Sequence, residues 1–129
     1  FRLRANPTKR ISKNNKDQAA QWHGKRIEIR HEREQLEWLE RKAEQSGFRL
    51  LQVQIGEDTI TDVQVAQLAK QQGRDRHSGQ HLRFGVALFE GHLEVYDSTQ
   101  FLASLQNGIG SAKAYGFGLL SIANMPTGG

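Results

Sequence analysis

The sequence contains no cysteine, which excludes disulfide staples and thiolate metal sites and leaves stability to packing. Nor does any apolar run approach the roughly 18 residues that a membrane span requires, and no basic-then-apolar start resembles a secretory signal. No membrane partner is expected, and the expected compartment is the cytoplasm. No internal repeat is visible. An initiating methionine is also lacking: the chain starts on Phe1-Arg-Leu-Arg-Ala, which already reads as a strand. A fragment of a longer protein is the expectation. The 129 residues, 36% hydrophobic and 25% charged, suit a single domain, 1–129, that buries about two-thirds of its unfolded surface.

Charge is present in one sign more than the other. The net value is +4, and residues 1 to 33 hold ten Lys/Arg against three acids, whereas the next stretch is acidic. A cationic end of this kind suits a polyanion, because Lys and Arg beside phosphates release condensed counterions. A merely solvated basic face fits the same composition.

Phe1 to Ala5 alternates apolar residues with Arg2 and Arg4, a strand with one basic face that Asn6-Pro7 ends or bends. Residues 12–25 are polar, with a lone Trp22, and read as a flexible insertion. Between His31 and Ser46, Leu36, Leu39 and Ala43 recur at helical spacing and Gly47 is placed to stop the helix. Leu51, Val53 and Ile55 alternate with glutamines, predicting a half-buried strand over 48–55. Residues 57–81 read as a long loop, with a short helix over 65–72 that Gly73 stops. Leu82, Phe84, Val86 and Leu88 share a strand face, and Glu90-Gly91 is expected to turn it into a hairpin with Leu93 to Tyr96. Asp97 with Gln100 resembles a capping box, opening a second helix with the stripe Phe101, Leu102, Leu105 and Ile109. Leu119, Leu120 and Ile122 form a short buried strand, and 125–129 reads as a frayed tail. The order strand, helix, strand, strand, helix, strand predicts a ferredoxin-like α+β sandwich (βαββαβ): an antiparallel sheet with both helices on one face.

One segment stands out: Gly108-Ile-Gly-Ser-Ala-Lys-Ala-Tyr-Gly-Phe-Gly118. Glycine permits positive φ and close backbone approach, so successive N–H groups there could share a concavity that binds phosphate, with Lys113 adding a point charge. Glycines that merely turn the chain fit equally well. A nucleotide site is disfavoured, since the segment lacks a Gly-Lys-Ser/Thr end and follows a helix rather than a strand. His77 and His81 are four apart but have no third ligand at a convincing spacing. His23, His31 and His92 read as surface residues.

The paired Gly-hydrophobic-Gly triplets separated by five residues that include a base resemble the glycine-rich loop of the RAMP superfamily of CRISPR RNA-binding proteins. Phe1-Arg-Leu-Arg-Ala-Asn-Pro7 resembles the strand opening the second ferredoxin-like half of CasE-type endoribonucleases, and Gly118-Leu-Leu-Ser-Ile-Ala123 resembles their closing strand. Phe89-Glu-Gly91, before the second helix, is similar too. This resemblance implies metal-independent cleavage of precursor CRISPR RNA at the base of the repeat stem-loop, by 2′-hydroxyl attack on the adjacent phosphate, with the product retained. It also implies that the histidine acting as general acid/base lies in the N-terminal half, so no catalytic residue is assigned here. No cofactor is implied.

The resulting expectation is the RNA-gripping C-terminal half of a two-lobed nuclease. Gly108, Gly110, Lys113, Gly116 and Gly118 would hold backbone phosphates; Arg74, Arg76 and Arg83 would hold the stem, mainly through phosphates, shape and 2′-hydroxyls. Lys9 and Arg10 would extend that path. The implied partners are the CRISPR repeat RNA stem-loop, the N-terminal domain of the same protein and other Cascade subunits. Two alternatives stay open: a non-catalytic RAMP scaffold subunit, and a ferredoxin-like protein-interaction module. The nuclease reading predicts that this chain alone does not cut RNA; metal-free cleavage of a repeat hairpin by the isolated chain, followed on a denaturing gel, would contradict it.

Overall fold

A computed structural model of the chain describes residues 1–11, 26–74, 81–113 and 116–124. The expected insertion at 12–25 and tail at 125–129 lie outside the described residues. In order, the elements are β1 (Arg2–Ala5), β2 (Thr8–Arg10), β3 (Arg26–Glu28), α1 (Glu32–Gln45), β4 (Phe48–Leu50), β5 (Gln52–Ile55), β6 (Asp58–Thr61), β7 (Val63–Arg74), β8 (His81–Gly91), β9 (Leu93–Val95), α2 (Ser98–Asn107) and β10 (Leu120–Ser121).

The main sheet is antiparallel with order β10-β1-β8-β7. Counting only these four strands along the chain, the order is 4-1-3-2, so the ferredoxin-like α+β sandwich is present. Alternation decides the faces. Leu3, Ala5, Ala87, Phe89 and Leu120 are buried and share one core with Trp38, Leu39 and Ala43 of α1 and Phe101 of α2. Both helices therefore lie on that face, while Arg2 and Arg4 of β1 point to the exposed one. Trp38 stacks on Phe89 with centroids 5.9 Å apart, and Phe48 meets Phe101 edge-on at 5.7 Å. Such pairs add to plain area burial.

Helix α1 is favoured by Glu32 and Glu34 in its first turn and Lys42 in its last, which complement the helix dipole. Gly47, at φ 77°, ends it. Its buried stripe is Gln35, Trp38, Leu39 and Ala43; Leu36, expected in the core, is only half-buried. The buried Gln35 amide is satisfied: its Nε2 donates to Ile29 O at 2.9 Å and to Gln67 Oε1 at 2.9 Å, and Gln67 Nε2 donates back to Gln35 Oε1. Helix α2 begins as the sequence predicts, with the Asp97 carboxylate accepting from Gln100 N at 3.1 Å. Of its expected stripe, Phe101 is buried, but Leu102 is 58% exposed.

Three expectations are corrected. Residues 65–72 form no helix, and 57–81 is no long loop in its described part: β6 and the 12-residue β7 occupy it. Val63 and Val65 pack on the core and pair with Gly91 and Phe89 of β8. Long-range pairing overrides the helix-forming Ala, Gln and Leu content there. Second, the strand over 48–55 is split at Leu51: β4 pairs with β9, and β5 pairs with β6 in a separate hairpin. That hairpin leaves Val53, Ile55 and Ile60 at 38%, 61% and 45% exposure rather than half-buried in the core. Third, Glu90-Gly91 makes no hairpin with 93–96, because β8 takes β7 and β1 as neighbours and β9 takes β4.

His92 joins these crossovers. Its Nδ1 lies 2.6 Å from Asp62 Oδ2, His92 N donates to Asp62 O, and Leu51 N donates to His92 O. The expected surface histidine is thus a clasp where the β4–β5, β6–β7 and β8–β9 connections meet. Phe89 sits at the middle of the core with no exposure. Phe89→Ala is expected to lower the unfolding free energy by about 3–5 kcal/mol, read from urea denaturation; a loss below about 1 kcal/mol would contradict this packing.

Candidate nucleic-acid interface

The glycine-rich segment leaves the C-terminus of α2 and returns to the sheet at β10. Its two Gly-hydrophobic-Gly triplets lie side by side: Ile109 N donates to Gly118 O at 2.8 Å, and Gly118 N donates to Arg4 O of β1 at 2.8 Å. Ile109 and Phe117, the central residues of the triplets, are buried. Two glycines are required by contact as well as by φ. A Cβ at Gly118 (φ 86°) would stand 2.2 Å from Ile109 O, and one at Gly110 (φ 90°) would stand 2.8 Å from the Trp38 ring. Gly116, at φ 88°, has open space where a Cβ would go.

This geometry gives the glycines a role in the fold. The amides of Gly108, Ile109, Gly116 and Gly118 donate to the carbonyls of Ser104, Gly118, Lys113 and Arg4. These four amides are engaged within the fold. Ser111 Oγ donates within 3.0 Å to Asn6 O and lies 3.2 Å from Thr8 Oγ1, while Asn6 Nδ2 donates to Gly85 O at 2.7 Å. Asn6, read from sequence only as part of a strand break, is a buried latch between β1, β8 and the segment. Lys113 remains exposed. Tyr115 lies outside the described residues.

The other expected contacts gather at the same end of the sheet. β2 carries Lys9 and Arg10 and pairs with β3; Thr8 joins that ribbon to Ser111, and Arg26 Nη1 donates to Thr8 Oγ1 at 3.1 Å. Lys9 is partly engaged by Glu34 at 3.4 Å, an exposed pair of small energetic value. The β7–β8 hairpin continues past the last residue of β1: Ala5 pairs with Ala87, but β8 starts six residues earlier, at His81. At about 3.3 Å per residue it projects roughly 20 Å. Arg74 and Arg83 occupy this projecting part, opposite His81 and Gln72; Arg76 lies outside the described residues.

Three further cations were not singled out from the sequence. Lys42 is half-buried with its Nζ over the Trp38 ring, 5.9 Å from the centroid. Burial, followed by the charges of Arg26, Lys113 and Arg41, lowers its pKa from the ordinary lysine value. Arg41 and Lys42 could have been noted as a basic pair late in α1, but nothing in the sequence brings Arg26 or Lys113 to them. Among the described residues no three His, Asp or Glu side chains gather as a metal site, and no helix is long and apolar enough to cross a membrane.

A family model described as CRISPR associated protein matches residues 1–124. The chain is 42% identical over 129 residues to the CRISPR-associated endoribonuclease Cse3 of Thermus thermophilus, covering 95% of this chain and 54% of that protein. It is 33% identical over 126 residues to the CRISPR system Cascade subunit CasE of Escherichia coli, covering 95% and 56%. Among solved structures, Cse3 bound to a 19-nucleotide RNA is similar with TM-score 0.75 and 41% identity, covering 95% of this chain and 54% of that one. Cas6e from Escherichia coli is similar with TM-score 0.67 and 32% identity, covering 96% and 58%. The chain spans about half the length of the relatives it matches.

Substitutions at two glycines separate contact from conformation. Gly116→Ala is expected to cost about 1–2 kcal/mol, the left-handed backbone alone, whereas Gly118→Ala adds a backbone clash and should cost clearly more. Thermal denaturation of both variants checks this; equal losses would show that the triplets are not in contact.

Proposed function

The chain belongs to the CRISPR-associated protein family and is of the CasE type, and from that premise we propose that it is the RNA-binding C-terminal domain of an endoribonuclease. The enzyme processes precursor CRISPR RNA at the repeat stem-loop, without a metal, and retains the product. One observation carries the reading: the glycine-rich segment, the β2–β3 ribbon and the projecting β7–β8 hairpin, each bearing Lys or Arg, converge at one end of the sheet. A basic, projecting two-stranded hairpin suits the backbone of an A-form stem, whose bases are hidden in a deep, narrow major groove. The RNA held by the Cse3 relative supports the same ligand here. The endoribonuclease relatives favour this reading over a non-catalytic scaffold subunit.

In this proposal the chain grips and does not cut. The His92–Asp62 pair, a combination able to serve acid/base chemistry, lies beside Gly91, at the opposite end of β8 from the basic hairpin. About 30 Å of strand separates the two ends. The general acid/base histidine is assigned to an N-terminal domain of the same protein. Other Cascade subunits are its further partners, and the cytoplasm its compartment.

The test is equilibrium binding to a CRISPR repeat hairpin across a salt series. Log affinity should fall linearly with log salt, by about 0.7–0.9 per phosphate neutralised. Lys113→Ala should weaken binding about fivefold at constant salt with an unchanged circular dichroism spectrum, since the side chain is exposed. Salt-independent binding, or no binding, would refute the reading.

A further inference from the structure

Arg26 on β3, Arg41 and Lys42 on α1, and Lys113 in the glycine-rich segment come from parts of the chain up to 87 residues apart, yet they are drawn together by packing. Lys42 lies over Trp38, whose ring bounds the space at Gly110. The Lys113 stem lies 3.6 Å from where a Cβ at Gly108 would be. Arg26 is held by Thr8, which touches Ser111 of the same segment. None of the four pairs with a carboxylate among the described residues. Arg26, Arg41 and Lys113 are exposed.

Crowded like charges are unfavourable unless an anion completes them. The sign of the Lys42 shift agrees. With its pKa lowered in the folded state, protonated Lys42 costs stability at neutral pH, and that cost fades only as pH rises through the lowered pKa towards the ordinary value. A bound anion would offset the cost at neutral pH.

We propose that Arg26, Arg41, Lys42 and Lys113 form a sequence-independent phosphate-binding patch that holds the RNA backbone beside the glycine-rich segment, separate from the hairpin that carries Arg74 and Arg83. This rests on the RNA-binding reading given above. The occupant is a phosphodiester chain rather than a single compact anion. The four cations stand on three different elements, three of them face solvent, and such a row matches an extended polymer that carries one charge per nucleotide.

The discriminating variant is Arg41→Gln with Lys42→Met in the intact protein. Methionine keeps an apolar stem on Trp38 while removing the charge, so folding should be retained, and thermal denaturation checks this. Binding is measured to a repeat hairpin RNA and to a hairpin of scrambled sequence, over a salt series. The expected result is about tenfold weaker binding to both, with the salt slope reduced by about 1.4–1.8. An unchanged affinity and slope, while Arg83→Gln still weakens binding, would overturn the patch and leave the RNA reading intact. Absence of salt-dependent RNA binding by the unaltered protein would overturn both. Loss of binding to a polyglutamate peptide with RNA binding retained would assign the patch to an acidic protein and overturn the proposal.

Discussion

Trp38 is engaged from three directions, and the rest of the molecule is arranged around it. One face stacks on Phe89 of the central strand β8, which fixes α1 to the sheet. At the edge of its ring, Gly110 packs so closely that a Cβ would intrude at 2.8 Å, which fixes the glycine-rich segment to α1. The Lys42 ammonium lies over the ring, a placement that offers cation–π attraction. A single indole thus ties the hydrophobic core, the segment that resembles the family and the start of the basic surface into one unit.

The same arrangement explains why the segment needs glycine without invoking direct ligand contact. Gly110 and Gly118 let backbone approach ring and backbone approach backbone, and Ile109 and Phe117 between them are anchored in the interior. Lys113 is thereby held near enough to Lys42 of α1 to help lower its pKa. Glycine here serves the packing, and it places a lysine at the surface. The His92–Asp62 clasp does comparable work at the other end of the sheet, closing the connections that let the β5–β6 hairpin and the β4–β9 pair branch from a four-stranded core.

Much of the fold was legible because two of its signals are local. The Asp97 cap with Gln100 and the Leu39–Ala43 spacing announced both helices, and the alternation of Phe1 to Ala5 announced β1. β7 was not legible: Gln64 to Gln72 is rich in residues that favour helix, and only pairing with β8 makes it a strand. Val53 and Ile55 alternate as a buried strand would, but with Ile60 they belong to a hairpin whose partner strand is its own neighbour. Of the candidate interface, the segment and its lysine could be read directly. Arg26, Arg41 and Lys42 could not, since their meeting with Lys113 exists only after the helix, the ribbon and the segment have packed.

The reciprocal amide pair of Gln35 and Gln67 has a consequence for the projecting hairpin. Among the described side chains of β7, Gln67 completes the buried Gln35 on α1, so sliding β7 by one position would bring Ala66 or Leu68 to that amide. Neither can bond to it; Gln35 Nε2 would keep Ile29 O, but its Oε1 would lose its donor, and a buried polar group left unpaired costs about 1–3 kcal/mol. The pair therefore works as a register lock. A one-residue slip would also turn Val63 and Val65 away from the core they pack against. A neutral contact beside α1 thus helps decide which face of β7 meets the apolar interior.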